Sequence, residues 1–236
     1  MESTTVSGTP GGILVEAKAL TRLDNRNQAQ LLHPTDFKLC NADRVSITGA
    51  SGSGKSVLLR TLALLDVSDS GQVLWRGEPI SSGQIPRYRR RICYIAQRPA
   101  LIEGTVEDNL RFPYSLKTFN GRRFDRSVVE ALLAQAGKEQ GFLSKRAGDL
   151  SGGEAQVVAL IRTLQLDPDV MLLDEPTAAL DPASSREVES LVQTWFDSGA
   201  QARAFIWVTH DPEQAQRMCT TRLTMSAGRL SGASQP

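Results

Sequence analysis

An α/β fold is what this sequence predicts: a mixed sheet with a β-rich amino-terminal subdomain and a helical insertion. Three observations carry it. Gly49-Ala50-Ser51-Gly52-Ser53-Gly54-Lys55-Ser56 follows the strand-like alternation of Arg44-Val45-Ser46-Ile47-Thr48 and runs into the helical spacing of Val57-Leu58-Leu59-Arg60-Thr61-Leu62. After Ser151, helical and strand-like segments alternate, an order that builds a parallel sheet. Between Gln97 and that point the spacing is helical, with Pro113 and Gly121 as interruptions.

Taken in order, residues 1–12 are rich in Ser, Thr and Gly, lack the apolar run of a secretory signal, and are expected to form a flexible lead. Strands are predicted at 13–17 and 31–39, then at 44–48 before the glycine-rich loop, at 72–75 after Gly71, and at 92–96. Helical spacing marks 106–110 and 126–136, and the insertion is placed at about 98–160. A helix over 151–166, a strand at 170–173, a helix at 183–196, a strand at 205–208 and a helix at 212–218 complete a domain of residues 13–230, with a tail at 231–236. The 170–173 run is apolar without alternation, as a strand covered on both faces should be.

At 236 residues and 40% hydrophobic content the chain can bury one large core or two lobes of one. Lysine plus arginine number 27 against 26 acidic residues, so the net charge of +1 exerts no global pull toward nucleic acid or an anionic membrane. Arg87 with Arg89-Arg90-Arg91 is the only dense basic run and reads as a solvated helix face, so no nucleic-acid partner is expected. The most apolar helical stretch, 57–65, is broken by Arg60 and too short to span a bilayer. Cys40, Cys93 and Cys219 are widely separated and lack metal-ligand spacing, which fits reduced thiols in a cytoplasmic protein.

The glycine-rich loop speaks first to chemistry. Glycine at 49, 52 and 54 lets peptide N–H groups approach an anion, and the helix beginning near Lys55 adds its unpaired N-terminal donors. Lys55 is placed to reach the β- and γ-phosphates of a nucleotide and Ser56 to put its hydroxyl on Mg²⁺, with Ala50, Ser51, Ser53 and Val57 completing the cradle. By itself this says P-loop NTPase and no more.

Asp174 ends the apolar strand as the natural acidic partner of that Mg²⁺, and Glu175 beside it can hold and polarise an attacking water. His210 follows another strand end and could bridge the γ-phosphate and that water, whereas His33 has no such neighbours and is assigned a structural role. Ser151 and Glu154 form a capping box around Gly152 and Gly153 at the start of an apolar helix. Its open first-turn amides make a second anion site, and since the loop at 49–56 already supplies one, the simplest use of the other is on a second subunit's ATP.

GASGSGKS, Gln97 after a strand, LSGGE, VMLLDEP, Ala179-Leu180-Asp181 and His210, in that order, resemble the ATP-binding-cassette family over about residues 13–230. The resemblance implies a head-to-tail homodimer with two ATP molecules, each held between one chain's P-loop and the other chain's Ser151-Gly152-Gly153. In that scheme Gln97 joins the Mg²⁺ and water shell and senses the helical insertion, Glu175 is the general base, His210 positions the γ-phosphate, and Asp181 links the two sites. It further implies a separate multispanning permease, contacted through 97–110, and a peripheral location on the cytoplasmic face of the inner membrane. YIAQRPALIEGTVEDNLRFP and FIWVTHD are similar to a small bacterial group associated with iron export. The competing readings are a soluble cassette ATPase of an assembly or repair complex, and a P-loop kinase, which leaves LSGGE unexplained.

These ATPases usually stack adenine on an early aromatic residue, and here none precedes Phe37; Arg22 or Leu23 falls near the place. Arg22 is expected to lay its planar guanidinium on the base. Arg22→Ala should then weaken ATP and GTP binding together in equilibrium dialysis. Strongly different ATP and GTP affinities, both indifferent to the substitution, would remove Arg22 from this role.

Overall fold

β1 (Ile13–Leu23) and β2 (Gln30–Cys40) pair antiparallel, and β4 (Ser70–Trp75) and β5 (Glu78–Pro79) extend them to a four-stranded sheet of order β2-β1-β4-β5. The computed structural model that shows this describes residues 12–199 and 203–232; the lead at 1–11 and the tail at 233–236 lie outside the described residues. β1 runs well past the predicted 13–17 because its register shifts between Ala17 and Leu20, with Ala19 at φ +46° and its amide donating to Asp36 Oδ1 at 2.8 Å. The bulge resets the alternation, so that Leu20 is fully buried and the strand continues where the simple period-two pattern stops.

The second sheet holds β3 (Arg44–Thr48), β6 (Ile92–Ile95), β7 (Val170–Asp174), β8 (Ala204–Val208), β9 (Thr221–Ser226) and β10 (Arg229–Gly232) in the order β10-β9-β3-β8-β7-β6. β3 lies parallel to β8 and β9, β7 parallel to β8, and β10 antiparallel to β9. The sheet is therefore mixed, as predicted. Every residue of β7 and β8 is buried, which explains their unbroken apolar runs.

The chain divides into two compact units. The first, in its described part 12–94, 169–175 and 203–232, contains both sheets with α1 (Lys55–Leu62), α2 (Ile85–Arg91) and α7 (Pro212–Met218). Its core joins Leu20, Phe37, Ile47, Leu58, Leu172 and Ile206. The second, 95–168 with 176–199, contains α3 (Val106–Arg111), α4 (Arg126–Gln135), α5 (Gly152–Leu164) and α6 (Pro182–Asp197). The insertion expected at 98–160 falls within it, and the unit continues through 168 and takes in α6. Among the described residues no helix is long and apolar enough to cross a membrane.

The basic run forms α2, with Tyr88 buried and its hydroxyl donating to the Leu62 carbonyl at 2.5 Å. It is more tied down than a freely solvated face: Arg91 pairs with the buried Asp169 at 3.2 Å, and Arg89 donates to the Leu64 carbonyl.

β9 and β10 form a hairpin that the periodicity did not suggest. Its two-residue turn, Ala227-Gly228, has both φ angles positive, +44° and +72°, as a type I′ turn requires. The tip buttresses the glycine-rich loop: Gly228 N–H donates to the Ser53 carbonyl at 2.8 Å, and the Gly228 carbonyl accepts from His33 N–H on β2 at 2.8 Å. A Cβ on Gly228 would meet the Leu31 carbonyl oxygen at 2.7 Å. Gly228→Ala is accordingly expected to cost about 1–3 kcal/mol in urea unfolding. Gly232→Ala, whose Cβ would meet nothing within 4 Å, should stay within ~0.5 kcal/mol; equal effects would discount the buttress.

Candidate functional site

The loop between β3 and α1 takes its shape from two glycines that no other residue could replace. Gly49, at φ +146°, has a Met225 carbonyl oxygen 2.1 Å from where a Cβ would stand, and Gly54, at φ +108°, has the Leu31 carbonyl oxygen at 2.8 Å. Gly54 is the N-cap of α1 and no side chain caps the helix, which leaves its first-turn donors to an anion. Lys55, 6% exposed, donates to the carbonyls of Gly49 at 2.9 Å and Ala50 at 3.0 Å, and its ammonium stands 3.7 Å from Glu175 Oε1. Ala50, Ser51 and Ser56 are exposed and Val57 is half-buried. Ser53 Oγ is buried without a hydrogen-bond partner among the described residues, a deficit that a phosphate oxygen would remove.

β7 delivers the acidic pair. Asp174, its last residue, is 4% exposed and accepts a hydrogen bond on Oδ2 from the Tyr94 hydroxyl at 2.8 Å. Glu175 leaves the strand with φ +47°, a costly conformation for a residue with a Cβ, and its amide donates to the Val208 carbonyl at 3.1 Å. That turn points its carboxylate at Lys55 and brings Oε2 within 3.8 Å of His210 Nδ1, at the end of β8. Lys55, Glu175 and His210 thus converge, with Asp174 at the same strand end. Arg22 does not stand free: its guanidinium donates to Asp69 Oδ2 at 2.9 Å, and the same oxygen accepts from Leu23 N–H at 2.8 Å.

The remaining predicted residues belong to the second unit. Gln97 lies exposed two residues beyond β6. Ser151 caps α5 as expected, its Oγ accepting from Glu154 N–H at 3.2 Å while Glu154 Oε2 accepts from Ser151 N–H at 3.0 Å. Lys145 grips Glu154 Oε1 at 2.7 Å, and this bond first, then the Ser151 amide, holds the Glu154 carboxyl below the usual glutamate range. A Cβ on Gly153 would stand 3.2 Å from Ser184 Oγ, whereas one on Gly152 would meet nothing within 4 Å. Ser184 belongs to the cap of α6, where Asp181 accepts from Ala183 and Ser184 amides at 2.9 and 3.1 Å and from Ser184 Oγ at 2.6 Å. These bonds, the Ser184 hydroxyl first, keep the Asp181 carboxyl low.

The donor set suits a hard cation shared with a nucleotide. Ser56 offers a hydroxyl and Asp174 a carboxylate, both oxygen ligands of the kind Mg²⁺ prefers. No cluster of three or more His, Cys, Asp or Glu able to hold a metal alone occurs among the described residues, and phosphate oxygens and water are the ligands that ordinarily complete such a Mg²⁺ shell. Two contributors escaped the sequence. Tyr94 is an unexplained hydroxyl in an otherwise apolar strand, a visible but ambiguous signal, and the Gly228 turn carries no motif at all.

The profile of a family described as "ABC transporter" matches residues 32–178. "Probable iron export ATP-binding protein FetA" of Escherichia coli K12 is 38% identical over 186 residues, covering 79% of this chain and 80% of its own length. "Protein STAR1" of Oryza sativa subsp. japonica is 35% identical over 219 residues, covering 93% of this chain, which in turn spans 62% of the rice protein. Other relatives carry the names of import subunits. Among solved structures, a dimeric post-hydrolysis state of the ATP-binding cassette MJ0796 with ADP and Pi superposes with a TM-score of 0.82 at 25% identity, over 94% of this chain and 100% of that one.

The depressed Glu154 carboxyl makes a pH prediction. Its contribution is complete above the usual glutamate value of 4.5 and is lost as pH falls through the lower folded-state value. Glu154→Gln keeps the cap's shape and removes the charge. Because Lys145 is half exposed, the loss should be no more than about 1 kcal/mol at pH 7 in urea unfolding, shrinking steadily in acid. A difference independent of pH would mean that the charge contributes nothing.

Proposed function

This chain belongs to the ABC transporter family, whose cassettes bind and hydrolyse ATP, and from that premise we propose that it is the ATPase subunit of a transporter whose permease is a separate polypeptide. The observation that carries the reading is the convergence of Lys55, Glu175 and His210 on the loop cradle, with Asp174 alongside. We take residues 13–230 as the cassette, with 98–160 as its helical insertion.

The loop amides and Lys55 bind the β- and γ-phosphates. Ser56, Asp174 and Gln97 would hold Mg²⁺, which when bound would neutralise charge on the phosphate oxygens. Glu175 accepts a proton from a water whose oxygen bonds to the γ-phosphorus as the bond to the bridging oxygen breaks, and ADP leaves with that electron pair. His210 restrains the γ-phosphate and the water. Arg22, paired with Asp69, offers its planar guanidinium to the base.

Ser151, Gly152 and Gly153 act on the ATP of a second copy. The rigid double cap around Gly153, built from Ser151, Glu154, Asp181 and Ser184, supports this, because a sensor of a neighbour's phosphate must be set before the neighbour arrives. Asp181, in that same cap, links one site to the other.

The permease is proposed to engage an open cleft of about 660 Å³ in the second unit, lined by Leu101, Ile102, Glu103, Thr105, Arg146 and Asp149. Half-buried Leu101 and Ile102 offer an apolar floor to a cytoplasmic helix, and the charged rim orients it. The chain would then sit on the cytoplasmic face of the inner membrane. Iron export is the cargo and direction favoured by the likeness to the Escherichia coli protein.

Glu175→Gln is expected to bind Mg-ATP and to turn it over at least about 100-fold more slowly. Saturated with nucleotide, it should elute as a dimer in light scattering. A strictly monomeric trapped variant at high protein concentration, or normal turnover by Glu175→Gln, would overturn the sandwich or the base. Recovery of the chain in a soluble complex, with no multispanning protein, would favour the assembly reading.

A further inference from the structure

Asp174 owes its orientation to groups that none of the motifs contains. Tyr94 lies on β6, at the edge of the sheet beside β7, and its hydroxyl donates to Asp174 Oδ2 at 2.8 Å. The Arg60 guanidinium lies close enough to the same phenol for the two to interact electrostatically. Arg60 is in turn gripped by Asp66, with Nε to Oδ2 at 2.9 Å and Nη2 to Oδ1 at 2.8 Å. Asp66, Arg60, Tyr94 and Asp174 therefore form one polar cluster, hydrogen-bonded at its two ends, Arg60 to Asp66 and Tyr94 to Asp174.

Its footing on α1 gives this cluster a function. Arg60 is four residues beyond Ser56 on that helix, so the two side chains share one face, one turn apart. The polar cluster thus connects the face of α1 that presents Ser56 to the carboxylate that ends β7. A carboxylate has two oxygens, and a short bond that fixes one of them orients the other.

We propose that Tyr94 is a positioning residue for the metal-nucleotide site: its hydroxyl, steadied by Arg60, fixes the Asp174 carboxylate relative to the Ser56 face of α1 and so sets the gap in which the cation is held. This rests on the reading of Ser56 and Asp174 as ligands of Mg²⁺ given above. Arg60 acts one step further away, through Tyr94.

The test uses the full chain with Mn²⁺ as the probe and a non-hydrolysable ATP analogue, and reads bound Mn²⁺ by electron paramagnetic resonance. Tyr94→Phe should raise the Mn²⁺ dissociation constant about ten-fold. It should leave the affinity for the analogue in excess chelator unchanged. Arg60→Met, which keeps the phenol, should give a smaller rise in the same direction and serves alone if Tyr94→Phe does not fold. Unchanged or tighter Mn²⁺ binding in either variant overturns the proposal, as does an equal loss of analogue affinity with and without metal, which would mark a loosened fold. Failure of the unsubstituted chain to bind Mn²⁺ with the analogue would instead defeat the ATPase reading, and this proposal with it.

Discussion

A lysine ammonium almost withdrawn from solvent is the constraint on which the site is built. A buried cation without partners would cost several kcal/mol, so Lys55 stands only if acceptors are brought to it. Two are carbonyls of its own loop, Gly49 and Ala50, and they face inward only because Gly49 adopts a φ open to glycine. That conformation in turn brings Gly49 against the Met225 carbonyl, so the β9–β10 hairpin is as much a part of the loop as the glycines are. The third partner is Glu175, an ion pair at 3.7 Å, whose left-handed backbone aims it at the ammonium. A triphosphate offers Lys55 charged acceptors in place of neutral ones, and such bonds are about twice as strong.

What could be read in advance divides along sequence distance. The strand at 44–48, the helix from Lys55 and the helix at 212–218 have the bounds their local patterns imply, because strand alternation, a glycine N-cap and a proline at the first turn are all written within a few residues. β1 overran its pattern where a bulge changed the phase, and a bulge has no reliable local mark. The Arg22 side chain is easy to assign a planar role and hard to assign a partner, since Asp69 comes from β4's approach, far along the chain. Tyr94 and Asp174 lie still farther apart, and only the order of strands makes them neighbours. Gly228 is the extreme case: nothing near it in sequence hints that it supports Ser53.

In the second unit the same economy of short polar links recurs. The segment 104–106 is laced to 145–147 by Val106 N–H to the Lys145 carbonyl and Ala147 N–H to the Gly104 carbonyl, each at 2.9 Å. These are walls of the 660 Å³ cleft. Lys145 then holds Glu154, and Glu154 holds the Ser151 amide. Two charge-assisted contacts, Lys145 to Glu154 and Glu154 to the Ser151 amide, thus link the cleft wall to the first turn of α5. The first turn of α5 in turn adjoins the cap of α6, where a Cβ on Gly153 would stand 3.2 Å from Ser184 Oγ.

Asp174 and Glu175 show why neighbouring carboxylates can take different tasks. In a regular strand successive side chains point to opposite faces, so two adjacent acids could not both address one phosphate. β7 stays regular through Asp174, which faces Tyr94 in an almost dry setting suited to a fixed ligand. The positive φ at Glu175 then breaks the alternation and turns the second carboxylate toward Lys55 and His210, where it is 20% exposed and within reach of water. Strain of this kind costs about 1–3 kcal/mol and persists only where the surroundings impose it. Here the Glu175 amide is held by the Val208 carbonyl on the adjacent strand, and the next residue, Pro176, disfavours a helical alternative before it. One backbone torsion thus separates a buried carboxylate fixed by Tyr94 from a more exposed one beside Lys55 and His210, within two consecutive residues.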